Sequence, residues 1–243
     1  MKTKILLAVC MLFSASCAYA MRDPFADFAQ NVTADNIKPF TADLGFLMSS
    51  AINHTGRSLG IAGFDVGTHV AMITRPRAAN TIPDTTGLCA IYVPVIQGEI
   101  GMPLGFDGFI RGFSWEGFAV TGGGIKWGFS TSDRPHSFRG LVYAAGHVGI
   151  HEGFSVTNAV AGIAGSVQGE AVEPFFSAAL SRTELTVKEA SAQPGLIGSQ
   201  TAVIQPVCAA GLNFKPWRFM YLSAAANIVP SKIGMEYTLG IRF

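Results

Sequence analysis

The last ten residues, Gly234 to Phe243, constrain this chain more than any other stretch. Met235, Tyr237, Leu239, Ile241 and Phe243 alternate without a break with Gly234, Glu236, Thr238, Gly240 and Arg242. Successive residues of a β-strand point to opposite faces. The segment therefore predicts a strand with one wholly apolar face and one polar or small face. The apolar face needs either a second sheet or an apolar solvent against it.

Composition decides between these. Charged residues make up 14% of the 243 residues, against roughly 25% in soluble globular proteins. Hydrophobic residues make up 49%, and 28 positions are Gly. That is too little charge to cover a water-soluble domain of this size. Yet beyond the first twenty residues no run approaches the roughly 18 consecutive apolar residues of a membrane helix. Inside lipid, only helices and closed barrels satisfy every backbone polar group. The expectation is an all-β fold, an antiparallel transmembrane β-barrel. A secreted soluble β-sandwich is the alternative, and the shortage of charge argues against it.

The first twenty residues read as an export signal. Lys2 and Lys4 precede an apolar core, Ile5 to Phe13, and Ala18-Tyr19-Ala20 offers small residues at the positions a signal peptidase reads. Cleavage is expected after Ala20. A lipoprotein modified at Cys17 is the rival reading, disfavoured because Ser14 stands where such sites usually carry Leu. Cleavage would remove two of the 17 basic residues and none of the 16 acidic ones. No basic stripe is present, so nucleic acid is not an expected partner. Cys89 and Cys208 would remain. An exported route permits a disulfide, and two separate thiols are equally compatible with the sequence.

Residues 21–56 differ from the rest. Pro39 suits the first turn of a helix, and Phe40, Leu44, Leu47, Met48 and Ala51 follow at helical spacing with one apolar stripe. The reading is a short amphipathic helix over 39–52, lying at the lumen mouth as a plug or at the periplasmic rim. From residue 57 to 243 the period is two. About ten strands are expected, with eight to twelve compatible: near 58–74, 90–102, 105–114, 117–130, 137–150, 153–167, 171–189, 200–214, 217–228 and 233–243. Turn signals separate them, at Arg75-Pro76 through Asp84–Gly87, Ser132–Pro135, His151-Glu152-Gly153, Ser191–Gly198, Phe214-Lys215-Pro216 and Val229-Pro230-Ser231. Pro94 and Pro206 fall inside strands and predict bulges or shifted boundaries. The phase also slips near Gly122-Gly123-Gly124, which predicts a glycine bulge or a misplaced strand.

The final strand resembles a known signature. Apolar residues at every second position, an aromatic a few residues from the end and a terminal Phe, here Tyr237 and Phe243, resemble the assembly signal of Gram-negative outer-membrane proteins. That resemblance implies a cell outer-membrane location, lipid contact and handling by the outer-membrane assembly machinery. The segment Leu59 to Gly67, preceded by an apolar helix, is similar to the start of barrels in this broad class and to the fatty-acid transporter family, in which an N-terminal segment plugs the barrel. Those transporters are longer and have more strands, so no ligand-binding residue carries over.

Charged and polar residues on the faces expected to line the lumen are Asp65, His69, Glu99, Lys126, Arg182, Glu184, Lys188, Glu236 and Arg242. Both signs occur. In a narrow barrel side chains fill the interior and buried charges must be paired, so a self-satisfying ion network is expected ahead of a selective pore lining. His147 and His151 lie roughly 13 Å apart along a strand, too far to share a metal ion. A lipase-type site would need His147 and Ser155 to meet across the His151 hairpin. Gly122–Gly124 with Lys126 lacks the spacing of a phosphate loop. Trp115, Trp127, Trp217 and Tyr221 are candidates for interfacial aromatic belts. No catalytic, metal or cofactor site is expected. The functional expectation is a non-enzymatic outer-membrane barrel, structural or passing small or apolar solutes. The alternative is a small outer-membrane hydrolase.

Overall fold

The computed structural model describes residues 25–74, 78–82, 90–115, 117–129, 136–230 and 232–243. The expected leader, Cys89 and the turn signals at Arg75–Pro76, Asp84–Gly87 and Ser132–Pro135 lie outside them, as does the Trp115 side chain. Ten antiparallel strands form one closed barrel: β1 (Phe64–Ile73), β2 (Ile91–Gly101), β3 (Phe106–Trp115), β4 (Phe118–Gly128), β5 (Phe138–Ile150), β6 (Phe154–Val167), β7 (Val172–Val187), β8 (Gln200–Trp217), β9 (Met220–Val229) and β10 (Lys232–Arg242). Each strand pairs with its neighbour in sequence, and β10 pairs with β1 to close the ring, from Asp65 opposite Arg242 to Ile73 opposite Gly234.

Outward residues are apolar and exposed, among them Ile110, Ile163, Leu180, Leu212, Ile228 and Ile241. The mouth where β1 begins and β10 ends is called proximal here. It also carries the turns at 102–105, 168–171 and 218–219. The distal mouth carries the connections at 151–153 and 188–199. Exposed aromatics crowd the outer face of the proximal mouth: Phe64, Phe106, Trp127, Phe138, Phe214, Trp217 and Phe243. Several touch in pairs, Phe106 with Trp127 at 6.3 Å and Phe219 stacked on Phe243 at 5.3 Å between ring centroids. Tyr221 is not part of this ring. It faces inward, is buried, and donates a 2.7 Å hydrogen bond to Asp65.

The prolines need no bulge. Pro94 pairs with Val70 on β1, while β3 joins β2 only from Ile96 onward. Pro206 pairs with Leu180 on β7, while β9 joins β8 only from Cys208 onward. Staggered strand ends give each proline a local edge, where its missing N–H leaves no gap in the ladder. Nor is there a bulge at Gly122–Gly124, since β4 pairs without interruption on both sides. The apparent slip arises because Phe118 and Val120 face inward. One register shift does occur, between Phe214 and Trp217, so Lys215-Pro216 remains within β8 and the turn follows it.

The N-terminal segment lies inside the barrel. A short helix, α1 (Phe28–Asn31), precedes α2 (Ile37–Ser49). The α2 helix is buried around almost its whole circumference, including Asp43, Gly45 and Ser49 on the side away from the apolar stripe. A helix hydrophobic on one stripe normally keeps its other face in water. Here the barrel wall surrounds it, so that other face carries small and hydrogen-bonding residues. The helix starts two residues before Pro39 and ends three before the expected boundary.

Candidate functional site: a filled lumen and its basic mouth

Three layers succeed one another from the distal to the proximal mouth. The first is aromatic. Phe25, Phe28 and Phe40 converge on Phe118 and Phe154, with centroid distances of 5.0 Å for Phe25–Phe118, 4.7 Å for Phe28–Phe154 and 5.4 Å for Phe40–Phe154. Leu185 and Val187 of β7 complete the same buried cluster. Two bonds dock α1 and the residues after it to the 188–199 connection: Ser191 N–H donates to the Ala29 carbonyl at 2.6 Å, and the Gln193 side chain accepts from Ala34 N–H at 3.2 Å.

This layer explains why the inward set fails on β7. Arg182 and Glu184 are 61% and 47% exposed and pair with each other on the outer surface. Lys188 is exposed on the connection after β7. Ser181, Thr183, Leu185 and Val187 face in. β7 and β8 are the longest strands. At the distal end of β7 the usual polarity of a barrel strand inverts, because the lumen there is a dry core that takes Leu185 and Val187 and leaves Arg182 and Glu184 outside.

The middle layer is a hydrogen-bonded seat for the end of α2. Asn158 on β6 donates to Ser49 at 3.0 Å, Ser181 at 2.8 Å and Thr183 at 2.9 Å. His147 Nδ1 lies 3.1 Å from the Asn158 oxygen. His147 and Ser155 are on opposite faces of the sheet, and His147 lies across from Asn158 in the ladder. The histidine–serine contact that a lipase-type site needs does not form. Among the described residues, no three metal-ligating side chains meet.

Past Ser50 the chain bends, with Ala51 at a φ of 55°, and three successive carbonyls meet wall donors. Arg111 reaches the Ser50 carbonyl at 3.3 Å. His69 Nδ1 is 2.7 Å from the Ala51 carbonyl. Lys126 and Gln97 both donate to the Ile52 carbonyl at 3.0 Å. The Ala51 N–H donates to Glu236 at 2.7 Å, and Glu236 also accepts from Asn227. Glu99 accepts from Lys126 at 2.6 Å and from Gln97 at 2.5 Å. A buried segment outside helix and sheet still has one donor and one acceptor per residue to satisfy. The polar side chains of the wall take up these carbonyls and the Ala51 N–H.

Of the nine residues expected to line the lumen, Asp65, His69, Glu99, Lys126 and Glu236 are buried inside the barrel. Arg242 sits half-buried at the proximal mouth and donates to the Ser58 carbonyl at 2.9 Å. Their main partners are plug backbone groups as well as one another. Arg111, Gln97, Asn158 and Glu173 belong to the same network and were not singled out in the sequence. Gln97 lay on the recognised inner face of β2. Arg111 was hidden because the inner face of β3 mixes it with Phe109 and Phe113.

The proximal layer opens into a cavity of about 270 Å³. Its cationic side chains are Arg57, Lys215, Arg218 and Arg242, and its one acidic side chain is Glu173. Glu173 pairs with Lys215 and accepts from Thr55 and Ser166 at 2.5 Å. His54 stacks on Tyr221 at 4.0 Å and forms the inner wall with Asn213.

No protein-family model matches the chain, and no curated protein matches it. Solved structures align with it at low similarity. The attachment invasion locus protein Ail of Yersinia pestis aligns at 13% identity over 75% of this chain and 99% of that one, with a TM-score of 0.29. The N-terminal β-barrel domain of Pseudomonas aeruginosa OprF aligns at 10% identity over 76% and 99%, with a TM-score of 0.31. The Acinetobacter baumannii outer membrane protein Omp33 aligns at 9% identity over 77% and 100%, with a TM-score of 0.32. The chain is similar to these proteins as a β-barrel.

Proposed function

We propose that this chain is an integral outer-membrane barrel that rests closed, with residues 25–59 as its built-in plug. The outer face supports the membrane reading. Exposed isoleucine, leucine, valine and phenylalanine cover the outside of the strands, and the aromatic ring at one mouth matches the interfacial position of such belts. The plug supports the closed state, and one observation carries it: the carbonyls of Ser50, Ala51 and Ile52 are each held by a wall side chain. A solute path along the axis would have to break those contacts together. The role this favours is structural or anchoring, with any passage of solute requiring movement of the plug.

Planar-bilayer recording of the refolded full chain tests this reading. The expected trace is flat at moderate voltage, in protein whose heat-modifiable gel migration shows a folded barrel. Steady open-channel steps from the unmodified chain would overturn it.

A further inference from the structure

We propose that the proximal cavity is a binding site for a phosphate oxyanion, presented by the headgroup of an anionic phospholipid. Four cationic side chains face one cavity with a single carboxylate among them, and that carboxylate is already held by Lys215, Thr55 and Ser166. A main-chain carboxylate on Phe243 would lower the excess by one and leave it positive. Arginines supply three of the four cations, and planar guanidinium forks match the paired oxygens of a phosphate. Arg242 is fixed at the wall by its bond to Ser58, and Arg218 lies over the Phe219 ring at 5.3 Å.

The inner wall is polar, and its Asn213 oxygen, which can only accept, suits a hydroxyl of the headgroup while the cations hold the phosphate. His54 and Asn213 are 2% and 1% exposed. Both His54 ring nitrogens and the Asn213 side-chain oxygen have no hydrogen-bond partner among the described residues. Buried polar groups are rarely left in that state without a reason. The Asp65 carboxylate, 3.6 Å from His54 Nε2, is beyond hydrogen-bond distance.

The cavity also touches the lipid-facing surface. Phe219 and Phe243 line it and stack on each other at the exposed aromatic ring. A headgroup seated against Arg218 and Arg242 would leave its acyl chains beside these rings. The lipid as source rests on the membrane reading proposed above. The oxyanion pocket does not, since it follows from the cavity alone.

The test uses the folded full chain in a neutral detergent. Short-chain phosphatidylglycerol, short-chain phosphatidylcholine and inorganic phosphate are titrated separately and followed by native mass spectrometry and by the fluorescence of Trp217 beside the cavity. Phosphatidylglycerol should bind saturably and more tightly than phosphatidylcholine. Arg218→Gln should weaken it by about ten-fold, the size of one lost charge-assisted hydrogen bond. Arg182→Gln, which removes a cation from the distal outer surface, should leave it unchanged. Phosphate binding as tightly as phosphatidylglycerol, with the same loss in Arg218→Gln, would support the oxyanion pocket and overturn the lipid source. Equal binding of both lipids, no binding of any probe, or an unchanged affinity in Arg218→Gln would overturn the proposal. Heat-modifiable migration of each variant confirms that the barrel is folded, so a lost pocket is distinguishable from a lost barrel.

Discussion

At the scale of single residues, the lumen works as a set of short-range electrostatic contacts. Glu99 and Lys126 are both about 95% shielded from solvent, and Lys126 also holds the Ile52 carbonyl. Removing one member of a buried pair leaves an uncompensated charge and costs about 3–5 kcal/mol. Lys126→Met is therefore expected to lower the unfolding free energy of the barrel, read from a urea titration, by that margin, and Glu99→Gln in the same chain should return part of it. A loss below about 1 kcal/mol in the single variant would show the pair to be hydrated. Gly45 is equally specific. A Cβ there would stand 2.2 Å from the Thr183 hydroxyl and 2.9 Å from its Cβ. Gly45→Ala should destabilise the seat of α2 by about 1–3 kcal/mol, the usual cost of overpacking, and raise protease cleavage within 37–56. Thr183→Ala should reverse part of this by deleting the hydroxyl at 2.2 Å, while the Cβ at 2.9 Å remains. If the second change fails to rescue the first, the close approach is not what selects glycine.

At the scale of elements, strands with hydrocarbon outside and polar groups inside were legible. The alternation on β1, β2, β5 and β10 gives their inner and outer faces correctly. The strand count was equally readable, since turn residues interrupt the chain at nearly every connection. What the sequence hid has one physical cause. Period two reports that the two faces differ, but not which face meets which solvent. On β7 the inner face carries Leu185 and Val187 because the distal lumen is an aromatic core, and the charges Arg182 and Glu184 turn outward. On β4 the same core draws in Phe118 and Val120 and mimics a phase slip. The helix itself was predictable from its stripe. Its burial on all sides was not, because Thr41, Ser49 and Gly45 read as a solvent face until a surrounding wall is known. Lys215 and Arg218 lie three residues apart at the end of β8 and its turn, but Arg57 and Arg242 come from distant parts of the chain, and no spacing along it could have gathered them with that pair.

At the scale of the whole molecule, the main feature is a chain that passes through its own barrel. Ala34 and Asp35 are exposed at the distal mouth, α2 descends through the lumen, and residues 57–63 leave at the proximal mouth to begin β1. In a background with Cys89 and Cys208 replaced by Ser, Ala34→Cys should react with a membrane-impermeant maleimide from the same side as Ala192→Cys. Leu104→Cys, exposed in the 102–105 turn, should react from the other. Labelling of Ala34→Cys together with Leu104→Cys would mean that the segment turns back and does not traverse. This threading also imposes an order of events. The seam between β1 and β10 is the one pairing of the ring between strands far apart in sequence, so it is expected to form last. The segment bears Phe25 and Phe28, too bulky to be drawn along a narrow finished tube. Wrapping must therefore precede sealing: the open sheet rolls up around a cargo that is its own beginning, and the finished article is a ship built inside its bottle.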